Sequence, residues 1–249
     1  MSKSMKLPTM VAPTYELKLP SSGEKVTYRP FLVKEEKILL MAMESGNSRE
    51  MSMAIRKIID GCTEGKLDLE VLPLFDVEYI FLQLRAKSVG EIAEPMVACP
   101  ECNESTKIKL DISKIKVSKE KENDPKIQLT EDIGMMMKYP QLILSDELET
   151  SDINVDSDSE LAFDVIIKCV DKIWEGETVW AAKDVGLDGV KEFIESLTQE
   201  QFLKITNFFE TMPQLKHTID YTCPHCEKKN KVVLRGLNSF FDSASVTTL

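Results

Sequence analysis

Four of the six cysteines in this 249-residue chain lie in two Cys-Pro-x-Cys elements. The first element is Cys99-Pro-Glu-Cys102, and the second is Cys223-Pro-His-Cys226. A two-residue spacer lets both thiolates of one turn point at a single ion, so two such turns supply the four ligands of a tetrahedral zinc site. We therefore predict one structural zinc ion per chain, bound by Cys99, Cys102, Cys223 and Cys226.

The two elements have similar surroundings. Each follows a segment of extended character and carries a lysine five residues after its second cysteine, Lys107 or Lys231, before an alternating stretch. The 120 residues between the pairs, 103–222, exceed the spacing of a compact zinc ribbon, so spacing alone leaves the pairing open. The matched strand–knuckle–strand context favours pairing, and residues 103–222 would then form an insertion whose ends meet at the metal.

Other interpretations of the cysteines stay open at this point. A Cys-x-x-Cys element can be a redox dithiol, although no thioredoxin-like βαβ pattern surrounds either one, or the thiols can be buried without a ligand. If all four bind one ion, no position is left for water, which indicates a folding role. His225 is less favoured as a substitute ligand than as a solvent-facing residue, and His217 is predicted at the surface. Cys62 and Cys169 are predicted to be small core residues.

The composition and the absence of known motifs argue against two classes of protein, nucleic-acid binders and enzymes. The chain has 42 acidic and 31 basic residues, a formal charge of −11 and 43% hydrophobic residues, as in soluble globular proteins. The acidic balance disfavours a protein that binds phosphate backbones. The chain has only two histidines and lacks a nucleophile elbow, a Walker loop, a dinucleotide fingerprint and a zinc-protease motif. We therefore predict that it is not an enzyme.

The chain carries no predicted membrane span or signal peptide. Its longest unbroken apolar stretch, residues 38–43, is far shorter than the about 20 residues of a membrane helix. The first ten residues lack the apolar region of a signal peptide, so we expect a reducing, cytoplasmic compartment and no membrane partner.

Hydrophobic patterns predict an α+β fold that is mainly helical, with a zinc-ribbon-like β element. Alternation predicts a β-hairpin from residues 15–19 and 25–28, and strands near residues 96–98, 107–112 and the last two cysteines. Helical spacing predicts helices over residues 33–45, 49–62, 76–87, 190–197 and 199–210, and a short helix from Thr130.

One further helix is predicted after a capping box at residues 157–160. The residues expected on its buried face are Phe163, Ile166, Ile167, Val170, Ile173 and Trp174. A small hairpin is predicted over residues 174–180. The pairs Phe208-Phe209 and Phe240-Phe241 are interpreted either as core residues or as anchors for a partner.

These elements divide the chain into five predicted parts. Residues 144–164 carry eight acidic residues and no basic one, which predicts a solvated or partner-facing loop. The parts are a flexible lead-in (1–14), an N-terminal hairpin plus helical domain (15–95), a discontinuous zinc ribbon (96–113 and 218–236), a helical insertion with the acidic loop (114–217) and a C-terminal tail (237–249).

An ordered set of segments resembles the baseplate hub proteins of T4-type tailed bacteriophages. The resemblance runs from about Tyr15 to Phe241, and its specificity lies in the order of the set. The segments are Tyr-Arg-Pro-Phe-Leu-Val-Lys-Glu-Glu-Lys (28–37), Phe-Asp-Val-Glu-Tyr-Ile-Phe (75–81), Arg-Ala-Lys-Ser-Val-Gly (85–90), Phe-Phe-Glu-Thr-Met-Pro (208–213), both cysteine knuckles and Gly-Leu-Asn-Ser-Phe-Phe (236–241).

The resemblance implies a non-enzymatic role in building the central hub of the tail baseplate. The implied partners are other phage baseplate hub proteins, and the implied location is the host bacterial cytoplasm or the virion baseplate. Members of such a family serve as hub subunits or as assembly factors absent from the finished particle. The alternative hypothesis is a zinc-ribbon adaptor of nucleic-acid machinery, based on Lys228, Lys229, Lys231 and Arg235 beside the second knuckle.

Overall fold

The computed structural model describes residues 10–118, 123–142 and 158–240. Most of the predicted lead-in, most of the acidic loop, the start of its capping box at Ser157, and the tail from Phe241 onward lie outside the described residues. The described part is an α+β protein with seven α-helices and thirteen short strands, which pair in antiparallel fashion. The predicted α+β class is therefore confirmed.

Four of the helices follow the predicted periodicity closely. The helix predicted over residues 33–45 has those bounds, and those predicted over 49–62, 76–87 and 199–210 agree to within two residues. The seven helices are α1 (Val33–Ser45), α2 (Ser48–Thr63), α3 (Leu74–Ser88), α4 (Asp158–Lys168), α5 (Ala182–Val185), α6 (Leu187–Glu195) and α7 (Gln199–Thr211).

The helix ends have local causes in the sequence. The Asn47 side chain accepts the backbone N–H groups of Arg49 and Glu50 and so begins α2. Gly46 ends α1 with a left-handed φ of 63°, a conformation that glycine adopts without strain. Thr198 begins α7 through a capping box with Gln201.

The strands form two sheets of three or more strands and three separate antiparallel pairs. The larger sheets have the orders β11-β10-β9-β8 and β13-β12-β7, and the pairs are β1-β2, β3-β6 and β4-β5. The strands are β1 (Tyr15–Lys18), β2 (Lys25–Tyr28), β3 (Ile92–Ala93), β4 (Met96–Ala98), β5 (Ser105–Lys107), β6 (Leu110–Asp111), β7 (Val117–Ser118), β8 (Lys126–Gln128), β9 (Ile133–Met137), β10 (Val170–Glu175), β11 (Thr178–Ala181), β12 (Gln214–Thr222) and β13 (Lys229–Arg235).

The short helix predicted from Thr130 is wrong, because the chain forms strand β9 there. Methionine favours helices in isolation, but Met135 and Met137 alternate into the core while β8 and β10 satisfy the backbone on both sides. Gly134 permits this arrangement, because a Cβ atom on it would lie 2.2 Å from the Trp174 ring.

The long helix predicted after residue 160 is also wrong in its second half. Helix α4 ends at Lys168, and Val170, Ile173 and Trp174 belong to β10, whose irregular register between residues 170 and 172 hides the strand alternation. Phe163 lies 41% exposed and stacks on Phe202 instead of entering the core. The predicted hairpin over residues 174–180 is confirmed as the β10–β11 pair.

Two hydrophobic cores divide the described residues. The first combines the β1–β2 hairpin, α2, α3, residues between 92 and 117, and the chain from Leu215 to Phe240. The second combines β8, β9, β10, α4, α6 and α7. Tyr139 joins them, because its ring stacks on Phe208 at 5.4 Å between centroids and meets Phe75 edge-on at 5.3 Å.

A largely buried carboxyl group, Glu78 on α3, holds the chain after β13 against the first core. Its Oε1 accepts the backbone N–H of Leu237 at 3.0 Å. Burial raises the pKa of Glu78 to about 7, although the hydrogen bond from Leu237 opposes this rise. The native state therefore holds this proton more tightly than the unfolded chain, in which the pKa of glutamate is about 4.3.

Replacing Glu78 with glutamine is expected to remove a fall in stability with rising pH. The wild type has the full contribution of this proton below about pH 4.3 and loses it as pH rises through about 7, so between pH 5 and pH 8 the wild type should lose about 2.5 kcal/mol more stability than Glu78→Gln does. Urea unfolding at pH 5, 6, 7 and 8 measures the difference. Parallel pH profiles for the two proteins would contradict the assignment, and the exposed Glu64→Gln serves as the control.

Within the described ranges, every helix is too short or too polar to cross a bilayer.

Candidate metal centre

The first cysteine pair occupies the turn of the β4–β5 hairpin. The backbone N–H of Cys99 donates to the carbonyl of Glu104 at 2.9 Å, and the N–H of Asn103 donates back to the carbonyl of Cys99 at 2.9 Å. These bonds close the turn and direct both thiols of the pair to one side. The strand predicted at residues 96–98 is confirmed as β4.

The second cysteine pair repeats this geometry in the turn of the β12–β13 hairpin. The N–H of Cys223 donates to the carbonyl of Lys228, and the N–H of Glu227 donates to the carbonyl of Cys223, both at 2.9 Å. Asn103 and Glu227, each four residues after the first cysteine of its pair, share a left-handed φ of 61° and 58°. The repeat noticed in the sequence is therefore a repeat of backbone conformation.

The four predicted metal-binding residues come together at one point. Their sulfur atoms all lie within 4.8 Å of one another, and two distances between the knuckles, Cys99 to Cys226 and Cys102 to Cys223, are 3.7 Å. A regular tetrahedron with metal–sulfur bonds of about 2.3 Å has edges of about 3.8 Å. These separations match that tetrahedron and are far longer than a disulfide bond of about 2.05 Å. The cluster can therefore hold one metal ion.

The cluster lies half inside the protein. Cys99 and Cys223 are fully buried, whereas Cys102 and Cys226 are partly exposed. Asn230 on β13 donates from Nδ2 to the sulfur of Cys99 at 3.2 Å, which is a contact between the two knuckles. Such donors orient ligating sulfurs and moderate their charge. Nothing in the sequence distinguished Asn230 from the other polar residues of an alternating strand.

An ion pair also joins the two knuckles. Lys228 of the second knuckle pairs with Glu101 of the first, so part of the predicted basic stretch is neutralised within the chain. Both side chains are substantially exposed, so water screens the pair and it contributes little to stability. It is a second contact between the two knuckles, beside the one from Asn230.

Hydrogen bonding favours the thiolate form at one of the four sulfurs. Burial acts to raise the pKa of Cys99, but backbone N–H groups of Cys102 and Glu101 outweigh it and lower the pKa to about 6. The pKa of Cys102 rises to about 12, because desolvation and neighbouring thiols outweigh a backbone hydrogen bond from Glu104. The four contacting sulfurs share their thiol protons, and a bound cation would displace the protons that the sulfurs still hold.

The other candidate residues lie apart from this cluster. His225 is exposed at the turn, and His217 lies half-buried on β12, so neither joins the group of potential ligands found among the described residues. Cys62 and Cys169 are buried in the first and second core, as predicted. Burial raises the pKa of Cys62 to about 11 and that of Cys169 to about 12, which suits inert core thiols.

The donor set limits the chemistry of the centre. Four sulfurs in a tetrahedral arrangement suit zinc or iron, and hard cations such as calcium and magnesium prefer oxygen ligands. A centre with four protein ligands has the closed shell of a structural site. What the arrangement can do is join two distant hairpins through one ion.

Comparison with known proteins places this fold in a family. The family described as T4 bacteriophage base plate protein matches residues 12–242. Over 229 residues the chain is 23% identical to the baseplate hub assembly protein gp26 of Enterobacteria phage T4, an alignment that covers 92% of this chain and 98% of that protein. No solved structure gives a significant match. The resemblance seen in the ordered segments is thus confirmed, and this chain belongs to the T4 bacteriophage base plate protein family.

Proposed function

We propose that this protein takes part in building the central hub of a phage tail baseplate through contacts with other hub proteins, without catalysing a reaction. The observation that carries the proposal is the family match over residues 12–242, together with a similar hub assembly protein that aligns over nearly its whole length. The proposed site of action is the host bacterial cytoplasm, where the protein serves as an assembly factor or as a subunit that enters the virion.

The proposal includes one structural zinc ion held by Cys99, Cys102, Cys223 and Cys226. Support comes from the all-sulfur donor set and from the sulfur separations of 3.7 Å between the knuckles. Zinc bound there would link segments that are distant in sequence by fixed, strong bonds. Residues 96–113 and 218–236 then form one ribbon, and residues 114–217 form an insertion that leaves and returns beside it.

A binding role also agrees with the character of the proposed centre. Its four cysteine ligands leave no position for a water molecule, which a hydrolytic zinc site requires. The second core lies within the proposed insertion, and the ribbon holds both ends of that insertion. The ribbon therefore serves to position a folded body for contacts with partners.

The proposed function is tested in infected cells with an affinity-tagged copy of the full chain. We expect the wild-type protein to copurify with baseplate hub proteins, and deletion of its gene to stop hub formation and lower the yield of infectious particles. Finding the chain in purified particles identifies a subunit, whereas its absence from them identifies a transient factor. Normal baseplates in the deletion strain would contradict the proposal.

A second candidate function, an adaptor of nucleic-acid machinery, has one observation in its favour. Lys229, Lys231 and Arg235 lie exposed at alternate positions on β13 and form a basic face. Asp220 lies opposite Lys231, and the chain as a whole is strongly acidic, so this face is less extensive than the sequence suggests. Duplex DNA binding that weakens steeply with salt would favour this candidate, and no binding at low salt would remove it.

A further inference from the structure

An open groove lies at the edge of the second core, beside the two strands that carry the tryptophans of this chain. The chain has two tryptophans, Trp174 on β10 and Trp180 on β11, and the groove beside them has a volume of about 330 Å³. Strand β11 is the edge strand of its four-stranded sheet, so the groove is open along that side. An aromatic groove at an open edge is a feature that folding alone does not require.

The sheet register builds one wall of the groove. Ile173 pairs with Trp180, and Glu175 pairs with Ile133 on the other neighbouring strand. Alternate residues of a strand face the same side, so these four side chains share one face of the sheet. The wall is thus apolar and aromatic with one carboxylate at its end.

Helices α5 and α6 build the other wall and leave it partly uncovered. They contribute Val185 and Phe193, and Val185 is 42% exposed. Trp180 is also 42% exposed, and Leu187 at the start of α6 is 56% exposed. Exposed apolar side chains around a groove mark a surface that binds another protein, and tryptophan is the side chain most enriched at the centre of such contacts.

The negative charge of the groove favours a positively charged group on the partner. Glu175 is the one charged residue among those described that line it, and its carboxylate has no hydrogen-bond or ion-pair partner there. On the opposite face of the same sheet, Lys126 places its Nζ 5.5 Å from the centre of the Trp174 ring, so a tryptophan ring of this sheet can accept a cation. With a formal charge of −11, the whole chain also attracts a basic partner.

We propose that this groove binds an arginine side chain, flanked by apolar residues, from a partner protein of the baseplate. The guanidinium group pairs with Glu175 and stacks against Trp180, and the aliphatic part of the arginine lies on Val185. That the partner is a baseplate protein rests on the proposed function. The recognition of arginine rests on the groove itself.

The chemistry of the groove is tested with a defined peptide and tryptophan fluorescence. In full-length protein carrying Trp174→Phe, Trp180 is the remaining tryptophan, and acetyl-Ile-Arg-Leu-amide should change its emission in a saturable way. The citrulline counterpart of the peptide, which lacks the charge, should bind about tenfold more weakly. Glu175→Gln should weaken binding of the arginine peptide about threefold to fivefold, while Glu177→Gln in the adjacent turn leaves it unchanged. Equal binding of the two peptides, or no saturable change, would overturn the proposal.

The role of the groove in assembly is tested with the tagged full chain in infected cells. Trp180→Ala and the charge reversal Glu175→Arg should each reduce recovery of the hub partner about tenfold or more, with metal content and melting temperature retained. Met41→Ala, an exposed apolar change on α1, is the control. Recovery of the partner at wild-type levels by both groove variants would overturn the proposal. If the wild-type chain itself recovers no hub protein, the proposed function fails, and the peptide titration decides the groove.

Discussion

Replacing Cys102 with serine is expected to abolish stoichiometric metal binding and to unfold the region around both knuckles. The remaining three thiols would lack the fourth ligand of a closed tetrahedral site, and binding energy in such a site is also folding energy. We expect a loss of about 4 kcal/mol or more in the free energy of unfolding, or about 10 °C in melting temperature. Elemental analysis and thermal unfolding of freshly isolated, reduced protein measure the two effects.

The residues that lose hydrogen-exchange protection in Cys102→Ser distinguish a metal centre from a cluster of buried thiols without an ion. Hydrogen exchange should show protection lost together over residues 96–113 and 218–236, because the centre joins them. Cys169→Ser makes the same chemical change in the second core and should keep the metal content of the wild type. If Cys102→Ser kept the metal content and the melting temperature of the wild type, the proposed metal centre would be wrong. If the wild type contained iron instead of zinc, the centre would stand and the proposed ion would be wrong.

Replacing Phe240 with alanine is expected to lower the free energy of unfolding more than any other single substitution of an apolar residue outside the cysteine cluster. Its ring has no exposed surface and belongs to the first core, although it lies at the end of the described chain. Truncation of a buried phenylalanine costs about 3–5 kcal/mol, because the cavity left behind does not collapse fully. Urea unfolding at fixed pH, with an unchanged denaturant slope, measures this loss.

The matched control for Phe240 is a phenylalanine that lies at the surface. Phe163 is 41% exposed and stacks on Phe202, so Phe163→Ala should cost about 1 kcal/mol. Metal content should stay at the wild-type level in both variants. Similar small losses for the two substitutions would mean that the last described turn, Leu237–Phe240, does not close the first core.

The sequence predicted the cysteine cluster well because its signal is local and chemical. Two thiols separated by two residues already define half a site, and the same turn occurs twice, so the backbone bonds at Cys99 and Cys223 agree. Asn230 could not be predicted in the same way. Its contact with the Cys99 sulfur depends on how two hairpins face each other across 120 intervening residues, which no local pattern encodes.

The same contrast explains which elements were predicted. Helix α2 has an apolar stripe, and α1 and α2 end or begin at Gly46 and Asn47, so local signals agree there. Strand β9 lies between two partners, and Met135 and Met137 become strand residues through pairing with β10. In its neighbour β10, the irregular register between residues 170 and 172 leaves the buried Val170 and Ile173 three residues apart, a spacing that mimics a helix face.

The phenylalanine pairs show a further limit of patterns. Phe208 and Phe240 are both core residues, in different cores, whereas Phe241 lies outside the described residues. Phe209 is partly buried against the same core as Phe208 and meets its ring edge-on at 5.1 Å between centroids, so both members of that pair are packed in the protein. The Trp180 groove could not be anticipated from a local pattern, because it arises where an edge strand meets two short helices.

The order of the two knuckles along the chain determines when a four-sulfur centre can form on the ribosome. Cys223 follows Cys102 by 121 positions. At synthesis rates of about 5–20 residues per second, the first hairpin waits roughly 6–24 s for its counterpart. During that interval its thiols offer at most half of a coordination shell, so a metal ion with four sulfur ligands could bind only after the chain has been made through Cys226.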